Sequence, residues 1–134
     1  MLATARLFLF LGALNAALAV GLGAFGAHVL KARLSAPLLQ TYQTGATYHF
    51  YHALGLLIAA ILLARQPSSL LLRGAGWLLF AGIVLFSGSL YALSLSGIRG
   101  FGAITPFGGT AFILGWLLMA FASLRFRADG STGM

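Results

Sequence analysis

Residues 7–30 read LFLFLGALNAALAVGLGAFGAHVL, a stretch without a single acid, lysine or arginine. About 20 helical residues cross the roughly 30 Å of bilayer hydrocarbon, so this run alone is long enough to span a membrane. Three further apolar stretches follow, at about 48–64, 71–95 and 106–126. Four such runs in 134 residues predict an all-α, integral membrane four-helix bundle, with residues 1–134 forming one transmembrane domain. The start, with Arg6 ahead of an apolar core and small residues, resembles a signal peptide. The apolar run continues to Leu30, too long for a signal core, so it is read as a retained span.

Composition supports the same class. Charged residues make up 7% of the chain and hydrophobic ones 60%, with a mean hydropathy of +1.00. Soluble domains carry about 25% charged residues, so this chain could not cover a water-facing surface. The net charge of +7 could suggest nucleic acid, but the eight basic residues form no run or stripe. They fall at the edges of the apolar segments, where lipid headgroups lie. A nucleic-acid partner is therefore not expected. Cysteine is absent, which excludes disulfides, thiolate ligands and thiol redox chemistry.

The linkers are short. Between spans 1 and 2, Ser35-Ala36-Pro37 reads as a helix start, with Ser35 as cap and Pro37 in the first turn. The face of Leu38, Leu39, Tyr42 and Ala46 then predicts a separate interfacial helix over about 36–47. Arg65-Gln66-Pro67-Ser68-Ser69 reads as a tight turn, and Gly97–Gly102 as a glycine-rich loop. Thr105-Pro106 predicts the start of span 4, threonine capping. From Arg127 onward the tail is small and polar. Four spans put both termini on one side, with Arg6, Arg65, Arg73, Arg125 and Arg127 against Lys31, Arg33 and Arg99 on the other. The positive-inside rule then favours cytoplasmic termini.

Small residues should organise the bundle, because lipid gives helices no hydrophobic reason to associate. In span 1, Ala13, Ala17, Gly21, Ala24 and His28 follow one helical face, and Asn15, Ala19, Gly23 and Gly26 a second. Small residues on two faces predict a central position for this helix, touched on both sides.

An ionisable side chain in a membrane is costly unless it has a partner or a task. Three histidines occur in or beside the spans, while the only acid, Asp129, lies in the tail. His28 ends span 1, His49 and His52 begin span 2, Tyr91 ends span 3 and Thr105 begins span 4. All of these positions fall on the side away from the termini. His28, His49, His52, Tyr48, Tyr51, Tyr91 and Thr105 are thus expected to form one polar cluster in the non-terminal leaflet. Lys31, Arg33 and Arg99 rim the same side, placed for lipid phosphates or a partner's acids.

Histidines on facing helices can hold haem iron, and His28 with His52 would be the pair. A three-histidine metal site would lack a carboxylate to orient its rings. Proton relay or quinone contact through His and Tyr is a further option. The competing reading is a hydrogen-bond network that closes the bundle, and it is preferred. No cofactor, metal site or catalytic residue is assigned. The spans hold no carboxylate for acid-coupled exchange or hydrolysis, the serines lack a Ser/His/Asp set, and Gly100-Phe101-Gly102 lacks the residues of a phosphate loop.

Five ordered motifs carry a resemblance. They are Gly23-Ala24-Phe25-Gly26-Ala27-His28, Tyr48-His49-Phe50-Tyr51-His52-Ala53-Leu54, Leu85-Phe86-Ser87-Gly88-Ser89-Leu90-Tyr91, Ile104-Thr105-Pro106-Phe107-Gly108-Gly109 and Gly115-Trp116. In this order they resemble the domain of unknown function 423 family of small bacterial inner-membrane proteins, related to transmembrane protein 256. The resemblance implies a multi-pass protein of the bacterial inner (plasma) membrane and brings no assigned reaction. Small size, tiny loops and the missing catalytic set point to a non-enzymatic accessory or assembly subunit of a larger membrane complex, a respiratory one among the candidates. The alternative is a binder or conductor of a small species (haem, metal, quinone or proton) through the His/Tyr cluster.

Overall fold

The computed structural model describes residues 2–126, and every regular element among them is helical. The helices are α1 (Leu2–His28), α2 (Ala36–Arg65), α3 (Leu70–Gly82), α4 (Gly88–Ser96) and α5 (Thr105–Ser123). A π turn over Ile83–Ser87 joins α3 and α4 into one rod, and short 3-10 segments precede α2 and α5. Four segments are long and apolar enough to cross a membrane: Leu2–Ala32, Ala36–Arg65, Leu70–Ser96 and Arg99–Ser123. The polar tail from residue 127, including Arg127 and Asp129, lies outside the described residues.

Two sequence expectations change here. The interfacial helix over 36–47 and the span beginning at 48 are one unbroken helix of 30 residues. Ser35 caps it by accepting from the Leu38 N–H, and Pro37 stands in its first turn, as expected. Nothing between Ala46 and Tyr48 interrupts the backbone ladder, and Tyr42 is buried against α1 rather than lying at a membrane surface. The second change concerns α1. It packs along α2 and reaches α3 through Phe8, whose ring sits edge-on to Trp77 at 5.2 Å. Its second small face, with Asn15, Ala19 and Gly26, is buried, whereas Ala13, Ala17, Gly21, Ala24 and His28 are exposed. The central helix is α2, which contacts α1, α3, α4 and the π turn.

The terminal half of the bundle is an apolar core. Phe8, Leu56, Leu63, Leu72 and Leu79 are fully buried there, with Ala59 and Ala75 between them. Phe112 and Met119 close this core from α5. The descent of α5 along the α3–α4 rod is tight. A Cβ on Gly108 would overlap the backbone nitrogen and Cα of Phe86, inside the π turn, and Gly115 lets Leu79 Cδ2 approach to 2.9 Å of such a position. Gly97, at φ 73°, ends α4 in the left-handed conformation that favours glycine.

Backbone cannot retreat as a side-chain tip can, so Gly108→Ala should destabilise the fold by about 1–3 kcal/mol, the usual range for overpacking. Gly21→Ala, where a Cβ meets nothing within 4 Å, should be neutral. Equilibrium unfolding in mixed detergent micelles checks both.

Candidate functional site

The midpoint of α1 carries the only amide within the first span, Asn15, buried against α2. Its Nδ2 donates to the Leu11 carbonyl at 2.8 Å, which leaves Oδ1 as an acceptor. His49 lies opposite on α2, with Nε2 2.8 Å from that oxygen. Nε2 must therefore carry the proton, and the other ring nitrogen is the acceptor. Tyr91 of α4 fills that role, its hydroxyl donating to His49 Nδ1 at 3.0 Å. The result is a neutral imidazole that uses both nitrogens and ties α1, α2 and α4 into one chain of hydrogen bonds.

Tyr42 extends this layer. Its ring packs against Tyr91 at 5.2 Å, and its hydroxyl donates to the Leu22 carbonyl of α1 at 2.6 Å. Gly26 leaves the space, since a Cβ there would come within 2.6 Å of Tyr42 Cε1.

The π turn decides whether Tyr91 can reach His49. Within it the Gly88 N–H donates to the Ile83 carbonyl, five residues back. One residue more than an α turn holds rotates everything beyond it by about 100°. Ile83 is buried in the core, and the extra residue brings Tyr91 round to the same face. Without it Tyr91 would point well away from α2. Ser87, inside the turn, is fully buried, and its hydroxyl has no hydrogen-bond partner among the described residues.

His52, one turn further along α2, belongs to a different environment. Its Nδ1–H donates to the Tyr48 carbonyl at 2.6 Å, so Nε2 bears the lone pair. The ring stacks on Phe112 at 3.4 Å, with Trp116 at 5.9 Å. Tyr48 packs on Phe86 at 4.8 Å and adjoins the same aromatic layer. Thr105 is the first residue of α5 rather than its cap, and its hydroxyl donates to Ser89 Oγ at 2.6 Å while Ser89 Oγ donates to the Phe86 carbonyl.

Five of the seven candidates thus fall into neighbouring groups: His49 with Tyr91, His52 with Tyr48, and Thr105 beside the π turn. His28 and Tyr51 do not join them. His28 is exposed at the far end of α1, thirteen residues or about 20 Å of helix from Asn15. The His28–His52 haem pair and a three-histidine site are therefore not assembled, and among the described residues no three His, Cys, Asp or Glu side chains converge. Tyr51 is exposed beside Tyr48. Lys31, Arg33 and Arg99 are exposed at the end away from the termini. Sequence spacing puts Asn15 only on a packing face of α1, and the signal for its bond to His49 is that it is a lone amide in an otherwise apolar span.

The sequence of this chain is similar to those of a known group. The model for a family described as "Protein of unknown function (DUF423)" matches residues 22–109, which includes His28, His49, His52, Tyr91 and Thr105. The chain belongs to the DUF423 family. It is 52% identical over 121 residues to the UPF0382 membrane protein YwdK of Bacillus subtilis, covering 90% of this chain and 98% of that one. A UPF0382 membrane protein of Staphylococcus epidermidis is 50% identical over the same shares, and one of Staphylococcus saprophyticus 51% over 120 residues. No solved structure matches. This DUF423 member is thus a membrane protein by composition, helix length and kinship alike.

Interhelical hydrogen bonds inside membranes contribute about 0.6 kcal/mol on average and up to about 1.7. His49→Leu and Tyr91→Phe should each destabilise the bundle, and a double-mutant cycle in detergent should give a coupling in that range. His28→Ala should change stability by less than about 0.5 kcal/mol, as surface substitutions do.

Proposed function

We propose that this chain is a non-enzymatic accessory or assembly subunit, docked on a larger complex in the bacterial inner (plasma) membrane. The observation that carries the reading is the free face of α1. Ala13, Ala17, Gly21 and Ala24 form a row of small residues on which no other helix of the bundle rests, and a Cβ at Gly21 meets nothing within 4 Å. Rows of this kind let a second helix approach closely, which is the main source of helix association in lipid. Lys31, Arg33 and Arg99 meet lipid phosphates or a partner's acids, since no acid occurs among the described residues. The termini are cytoplasmic, in keeping with Arg6, Arg65, Arg73 and Arg125 at their end of the bundle against three basic residues at the other.

The second reading, a binder or conductor of a small species, has one observation in its favour. The His52 ring lies against Phe112 and Trp116 with Nδ1–H bonded to the Tyr48 carbonyl, which leaves Nε2 as an acceptor for a hydroxyl or N–H brought to it. An absorption spectrum and metal analysis of the purified protein address haem and metal, and a liposome flux assay addresses protons.

Under the first reading, the protein released in mild detergent co-purifies with a larger assembly. Ala17→Leu with Gly21→Leu should abolish that association and leave the isolated bundle's unfolding within about 0.5 kcal/mol of wild type. Repeated recovery as a lone species with lipid alone would count against it.

A further inference from the structure

Where α1 begins and α2 ends, the two helices leave a groove of about 210 Å³ lined by Ala5, Arg6, Leu9, Ala60, Ile61 and Ala64, with Leu2 at its edge. The groove exists because alanines face each other across the helix pair. Its walls are apolar throughout, and Arg6 is the one charged residue on it. Leu9, Ile61 and Ala64 are exposed, so the groove opens toward lipid. Its volume is below the roughly 300–1,000 Å³ of pockets that enclose drug-sized ligands. It suits part of a flexible hydrocarbon chain better than a ring system.

Arg6 supplies the second half of the site. It stands about 6 Å along α1 from Leu2, close enough to the helix end for its long stem to carry the guanidinium to headgroup depth. No carboxylate occurs among the described residues to neutralise it. A planar guanidinium matches a phosphate through two parallel hydrogen bonds. We propose that the α1/α2 groove is a binding site for one anionic phospholipid, an acyl chain lying between Ala5 and Ala64 and the phosphate held by Arg6. This goes beyond general solvation by lipid, because it requires one site with both a shape and a charge.

The test is native mass spectrometry of the full chain, delipidated in mild detergent and titrated separately with phosphatidylglycerol and phosphatidylcholine. One phosphatidylglycerol should bind ahead of all others. Arg6→Gln should weaken it roughly fivefold, the scale of one basic residue at an anionic lipid surface, and leave phosphatidylcholine unchanged. Ala64→Phe, at an exposed position that fills the groove without touching the core, should remove the preferred site while the unfolding midpoint stays as in wild type. Equal phosphatidylglycerol binding by wild type and Arg6→Gln, or an undiminished first site in Ala64→Phe, would overturn the proposal.

Discussion

In hydrocarbon a buried polar group has only the protein to bond to, and in this chain α2 meets that requirement. His49 spends both ring nitrogens on neighbouring helices, one on Asn15 of α1 and one on Tyr91 of α4. Tyr42, two turns earlier on α2, reaches across to the Leu22 carbonyl. Each bond is modest by itself. Together they fix the register of three helices, since a slip of either neighbour along α2 would leave the imidazole unsatisfied in an apolar medium. The apolar core in the other half of the bundle adds shape complementarity, with Phe8 seated over Gly76 and Leu79 over Gly115.

Close backbone approach is the second constraint, and it divides the glycines by role. Gly108 and Gly115 let α5 lie directly on the α3–α4 rod, and Gly26 makes room for the Tyr42 ring. Gly21 and Gly23 make room for nothing among the described residues. The same residue type, at similar spacing, thus closes the bundle in one place and leaves a bare face in another. That asymmetry moves α1 from the centre of the bundle to its edge and gives the subunit reading its physical basis.

The π turn links these two constraints. It sits where Gly108 presses on Phe86, and it turns Tyr91 onto the face that meets His49. A regular helix through Ile83–Ser87 would forfeit the hydrogen bond to His49. Ser87, inside that turn, buries a hydroxyl without a partner among the described residues.

The sequence by itself determined the solvent and the scaffold. Long uncharged runs can be stable only in lipid and only as helices, and their lengths and breaks at Ser35-Ala36-Pro37, Arg65–Ser69 and Thr105-Pro106 delimit four spans. Histidines away from any carboxylate in an apolar chain also pointed to a hydrogen-bond network with tyrosine and serine partners, though not to the Asn15 amide that meets His49. Which residues form it was decided by tertiary structure. Periodicity assigns a face to a side chain but not an occupant to that face, so the two small faces of α1 looked equivalent until α2 took one of them. With no break at Thr47, α2 runs on as one helix, and His49 lies well inside it rather than at its start. Tyr91 meets His49 because of a one-residue change in helical phase, and His28 stands apart because α1 carries it past the layer where the other histidines meet their partners. Rotations and registers of this kind arise from the simultaneous packing of several helices, and no single segment encodes them.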